Sequence, residues 1–159
     1  MKVPSLKTGQ MMTIAYGIAI IVVLFIVYKI LAGVGLIKTP AKKRAEAEKG
    51  AAVKMLRTDD YFDPLYIKTN NLTGQFKSLG SNAPDVYARD IFMAIQGWGT
   101  NEEAIYSTFG KLHNKCNISE IAMSYNLKYR RSLQADLLND LTDSEVSALM
   151  NIINGLPNK

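Results

Sequence analysis

The sequence predicts an all-α protein built from an N-terminal transmembrane helix, a connector and a compact five-helix domain. Three observations carry this reading. Thr13–Ile37 is a run of 25 residues with a single charge, Lys29. Beyond Pro84, apolar residues recur at the three- and four-residue spacing of helices with one buried face. No segment shows the alternation of a half-buried strand. The chain then divides into a tail (1–12), the span (13–37), a basic stalk with an aromatic connector (38–83) and the helical domain (84–159).

The first element is the span. At 1.5 Å per residue a helix of this length reaches roughly 37 Å, enough to cross a bilayer with some tilt. Lys29 would snorkel toward headgroups with Tyr28 beside it. A cleaved secretory signal fits less well, because the apolar core is long, the start is weakly charged and no small-x-small cleavage site follows. Lys2 and Lys7 precede the run, whereas Lys38, Lys42, Lys43, Arg44 and Lys49 follow it. The positive-inside rule therefore puts the C-terminal part on the cytoplasmic side, or facing the shell in a membrane-containing virus particle. Lys38, Lys42, Lys43 and Arg44 are also suited to acidic lipid headgroups, their plainer role being that of a stop-transfer signal.

The same asymmetry bounds the partners. Net charge is +5 and the isoelectric point is near 9.3, yet residues 1–57 carry +8 and residues 58–159 carry −3. A basic end is not a broad positive face, so no nucleic-acid partner is expected. One cysteine, Cys116, excludes an internal disulfide and a multi-cysteine zinc site, and one histidine, His113, leaves little for histidine-based catalysis.

In the connector, Ala41–Arg57 has helix-forming composition interrupted by Gly50 but no broad apolar stripe, which predicts an exposed stalk. Residues 58–83 are aromatic and turn-rich. Asp59, Asp60 and Asp63 lack the glycine and closing glutamate of a calcium-binding EF-hand loop. Tyr61, Phe62, Leu65 and Tyr66 read instead as contacts to the following domain or to a partner protein.

Five helices follow in order. Pro84 and Asp85 suit a first turn, and Tyr87, Ile91, Ala94 and Ile95 share one face. Gly97-Trp98-Gly99 ends that helix. Thr100 with Glu103 has the spacing of a capping box, and Ile105, Tyr106, Phe109 and Leu112 make the next stripe. Asn117 with Glu120 offers a weaker cap before Ile121, Ala122, Tyr125 and Tyr129. Leu133, Leu137, Leu138 and Leu141 mark a short fourth helix. Thr142 with Glu145 is a second capping box, followed by Val146, Leu149, Met150 and Ile153.

Residues of this domain resemble one annexin repeat, from about Asp85 to Leu156. Gly97-Trp98-Gly99-Thr100-Asn101-Glu102 is similar to the family's Gly-x-Gly-Thr-[Asp/Asn]-Glu. Glu120-Ile121, Tyr125, Tyr129, Arg131, Leu133, Asp136, Leu137, Asp140 and Leu141 then follow in the family's order. The match covers a little under half of the chain. Departures are Ser132 where Asp is usual, Arg130 where glycine is usual, about one extra residue near His113–Asn117, and one repeat in place of four.

The resemblance implies a calcium site made by the carbonyls of Ile95, Gly97 and Gly99 with the carboxylate of Asp140, and a lipid-facing role for Trp98. Oxygen donors of this kind suit calcium. The same residues also have plainer uses: a tight turn, a helix cap or lysine pair at Asp140, and a core position for Trp98. Elsewhere, Glu102–Glu103 suit a first helical turn. Asp136 and Asp140 lie one turn apart and could share a proton or a metal. His113 and Cys116 lack a third catalytic member, and no nucleotide loop or nucleophile elbow is present. No enzymatic activity is expected.

The function expected from the sequence is that of a non-enzymatic, single-span membrane protein. Its helical domain would dock partner proteins and anchor an assembly, a viral capsid being one example, to a lipid bilayer, with Trp98, Tyr61, Phe62 and Tyr66 as contact residues. The alternative is a calcium-dependent phospholipid-binding or membrane-bridging protein. Oligomerisation is compatible with either.

Overall fold

Periodic apolar residues fold where expected, and among the described residues the uniform apolar run gives no helix long enough to be a span. The computed structural model describes residues 20–31, 40–96 and 99–159. Regular structure among them is helical throughout: α1 (residues 20–31), α2 (Pro40–Thr58), a 3-10 turn (Asp60–Phe62), α3 (Tyr66–Thr69), α4 (Ala83–Ile95), α5 (Glu102–Gly110), α6 (Cys116–Tyr129), α7 (Leu133–Asp140) and α8 (Asp143–Gly155). The chain divides into two compact units, Met1–Ala45 and Glu46–Lys159.

The expected transmembrane helix is corrected in the first unit. No helix among the described residues is long and apolar enough to cross a membrane. The described helical residues there, 20–31, cover 12 of the 25 residues of the expected span. The rest of that expectation, residues 13–19 and 32–37, lies outside the described residues, as do the tail and Lys38. Within α1, Ile20 through Ile30 are all exposed, Ile21 at 67% and Leu24 at 63%.

In the second unit, α4 packs on α6 and on α5, and α5 packs on α8. Ile91, Ile105, Phe109, Ile121, Tyr125, Leu137, Leu149 and Ile153 are fully buried between them. The core extends upstream of the five helices. The stalk reading of α2 holds for its first turns, where residues 41–48 are exposed, but Ala52 and Leu56 join the core. Gln134 Nε2 donates to Leu56 O at 2.6 Å, and Ser119 Oγ donates to Asp63 O at 2.7 Å. The stripe was not visible because only the last two turns of α2 carry it.

Helix ends show which caps were read correctly. Thr142 and Glu145 form the expected capping box, with Thr142 N donating to Glu145 Oε2 at 2.7 Å and Glu145 N to Thr142 Oγ1 at 3.5 Å. At α5 the cap is shifted by one residue: Asn101, not Thr100, caps the helix, its Oδ1 accepting from Ala104 N at 3.0 Å. At α6, Asn117 is not a cap but a buried residue of the first turn. Arg130 ends α6 at φ 57°, a left-handed conformation that favours glycine.

Candidate functional site

The candidate site is the turn between α4 and α5 together with the end of α7. Asn101 N donates back to Ala94 O at 3.0 Å, closing the turn, and Gly99 adopts φ +87°, a conformation open to glycine at no steric cost. The Thr100 hydroxyl is free of capping duty and donates to Asp140 Oδ2 at 2.6 Å. The structure therefore brings Asp140 to the Gly99–Thr100 turn across 40 residues of sequence. Ile95 is buried at the end of α4. Gly97 and Trp98 lie outside the described residues.

A cavity of about 700 Å³ lies beside the turn, lined by Gly99, Thr100, Asn101, Glu102, Glu103 and Tyr106. Its charged lining is acidic, so its chemistry favours a cation over an anion. Tyr106 donates to Glu145 O at 3.1 Å, and burial pushes its phenol up. Among the described residues no group of three or more His, Cys, Asp or Glu could hold a metal ion. Of the expected calcium ligands, Asp140 is the one seen at the turn, its Oδ2 accepting from Thr100.

Other sequence-predicted residues are separated rather than gathered. Asp136 does not share a proton or a metal with Asp140. It turns inward, 6% exposed, accepting from the Tyr125 hydroxyl at 2.7 Å and from Arg131 Nη2 and Nε at 2.9 and 2.8 Å. Burial, then the bond to Asp136, pushes the Tyr125 phenol up. Cys116 is buried and donates to Asn158 O at 3.2 Å, and desolvation raises its thiol, the wrong direction for a nucleophile. The His113 amide donates to Asn117 Oδ1 at 2.9 Å.

The aromatic connector docks on its own domain. Phe62 is 3% exposed, 6.1 Å from the Phe109 ring, so it is corrected from a partner contact to a core residue. Tyr61 and Tyr66 are half-buried, their rings 4.6 Å apart, with Lys115 Nζ 5.8 Å from the Tyr61 ring. Lys42, Lys43 and Arg44 are exposed on α2. Sequence reasoning missed the role of Asn114, Asn117 and Glu120, which hold residues 77–79; those bonds reach backbone far away and leave no local pattern.

The described residues thus define an all-helical protein with a turn-and-carboxylate site at one end of α4, α5 and α7. The chain matches no family model, no curated protein and no solved structure.

Proposed function

We propose that the chain is a non-enzymatic docking protein, in which a helical unit binds partner proteins of an assembly and α1 holds that assembly to lipid. The observation that carries this is the exposure of every residue from Ile20 to Ile30. A helix that docks on a protein needs one apolar stripe, whereas a helix apolar on all sides suits an isotropic apolar surrounding such as acyl chains. The exposed Lys43 and Arg44 that follow favour acidic headgroups. Exposed Met93 and Leu127, at 66% and 59%, are the apolar side chains of the helical unit most open to a partner protein. A membrane-containing virus particle is one setting that needs such a link.

Flotation of the full chain with liposomes tests the reading. The wild type should rise with the vesicles and Leu24→Glu should stay below; equal flotation of the two overturns the role of α1.

The second reading is an annexin-like repeat that binds phospholipid through calcium. It is supported by the motif order from Gly97 to Leu141 and by the contact of Thr100 with Asp140. The carbonyls of Ile95, Gly97 and Gly99 and the Asp140 carboxylate would hold the ion. Calcium at millimolar concentration should then raise the melting temperature, and Asp140→Ala should remove that gain. An unchanged wild-type melting temperature rejects this second reading.

A further inference from the structure

Between Leu72 and Asn82 the chain forms no helix, and most of its side chains are exposed. Leu72 is buried, while Phe76 and Leu79 are only half-buried. The segment is held at Lys77–Gly80, and the holders come from the start of α6 and the turn before it. Asn114 Nδ2 and Asn117 Nδ2 both donate to Lys77 O, at 3.0 and 2.9 Å. Glu120 accepts the Ser78 hydroxyl on one oxygen and the Leu79 amide on the other, the latter at 3.0 Å. That second oxygen also accepts from Asn117 Nδ2 at 2.9 Å, which aims the amide at Lys77. One carboxylate thus anchors the segment directly and orients the neighbour that anchors it again.

Thr73 and Ser81, near the two ends of the segment, line a groove of about 360 Å³ together with Glu120. Pro64, Ile67 and Met123 supply its apolar surface. We propose that residues 72–82 are a strap forming one wall of this groove, that the strap opens as a unit without global unfolding, and that Glu120 is the positioning residue that latches it. Two properties support separate opening. Apart from Leu72, Phe76 and Leu79 the strap's side chains are exposed, so its closure leans on hydrogen bonds, and those to an ionised acceptor are the strong ones. The helix beneath packs chiefly on α4, where Ile118, Ile121 and Tyr125 belong to the core, so its packing does not depend on the strap alone.

Native-state hydrogen exchange on the full chain, followed by residue, tests the proposal. In the wild type, the Leu79 amide should exchange by an opening that depends less on urea than that of Leu149. Glu120→Ala should speed exchange at Leu79 and Gly80 roughly tenfold, while Leu149 stays within twofold. Ser78→Ala, at an exposed position that the core does not need, should give a smaller acceleration at the same amides. The proposal fails if Leu79 shares the urea dependence of Leu149 in the wild type. It also fails if Glu120→Ala speeds all amides equally, or leaves Leu79 unchanged.

Discussion

The described residues of α1, 20–31, and the helix α8 at Asp143–Gly155 treat apolar side chains in opposite ways. In α8 the apolar residues recur with the helical period, and Val146, Leu149, Met150 and Ile153 are buried while Asp143 and Ser144 face solvent. In α1 no period exists, and every side chain from Ile20 to Ile30 is exposed. Hydrophobicity sets whether a helix leaves water; periodicity sets whether it can do so against its own chain. A patterned helix finds a core, and an unpatterned one asks for a different surrounding.

The comparison breaks most visibly by truncation. Leu56→Ala should cost about 3 kcal/mol of stability in urea unfolding, since Leu56 is fully buried. Leu24→Ala should change the same unfolding by less than about 0.5 kcal/mol, because Leu24 is 63% exposed. Equal losses would mean that α1 is packed against protein after all.

Next in size is Asp136→Ala. It leaves the buried Tyr125 hydroxyl without its acceptor, and calorimetry should show a loss of about 2 kcal/mol. Thr142→Ala removes the α8 capping box and should cost about 1 kcal/mol in thermal unfolding. Arg130→Gly should act in the other direction, adding about 0.5 kcal/mol, because φ 57° suits glycine better than arginine.

The smallest effect concerns acidity. Burial raises the Asp59 carboxyl above its ordinary value of 3.8 despite the bond it accepts from Tyr61 N. Its folded form binds a proton more tightly than its unfolded form, so this group favours folding at low pH and opposes it once pH exceeds the folded value. Asp59→Asn keeps an acceptor for Tyr61 N. It should stabilise the chain slightly at pH 7 and leave it unchanged at pH 3, as read by paired urea titrations.

Legibility followed the same division between local and distant causes. The five helices between Ala83 and Gly155 were readable because each carries its own stripe and most carry a start or stop signal. Thr142 was read correctly because its bonding partner is the neighbouring Glu145. Thr100 was misread because its hydroxyl goes to Asp140, and a capping rule weighs only residues nearby. The burial of Leu56 was missed, and that of Phe62 was left open between its own domain and a partner, for a related reason. A short apolar patch does not announce its partner, and Leu56 meets Gln134 and Phe62 meets Phe109, well downstream. The uniform run at the N-terminus was read as a span from length and apolarity, and the described helix there is too short to cross. Of the candidate site, the resemblance to an annexin repeat already set Asp140 beside Gly99, but the bond from Thr100 to Asp140 was not legible.

The start of α6 also bears on how fast the unit assembles. Asn117 reaches back 40 residues to Lys77, and Cys116 reaches forward 42 residues to Asn158. Lys115 N adds a bond to Pro157 O at 2.9 Å. Each of these closures costs loop entropy before it returns a bond. Helices that pack only on their sequence neighbours fold quickly, and long-range ties slow the search. The segment at Lys77 and the C-terminal end are both fastened around the start of α6 by such ties, whose loop-closure cost contacts between neighbouring helices do not carry.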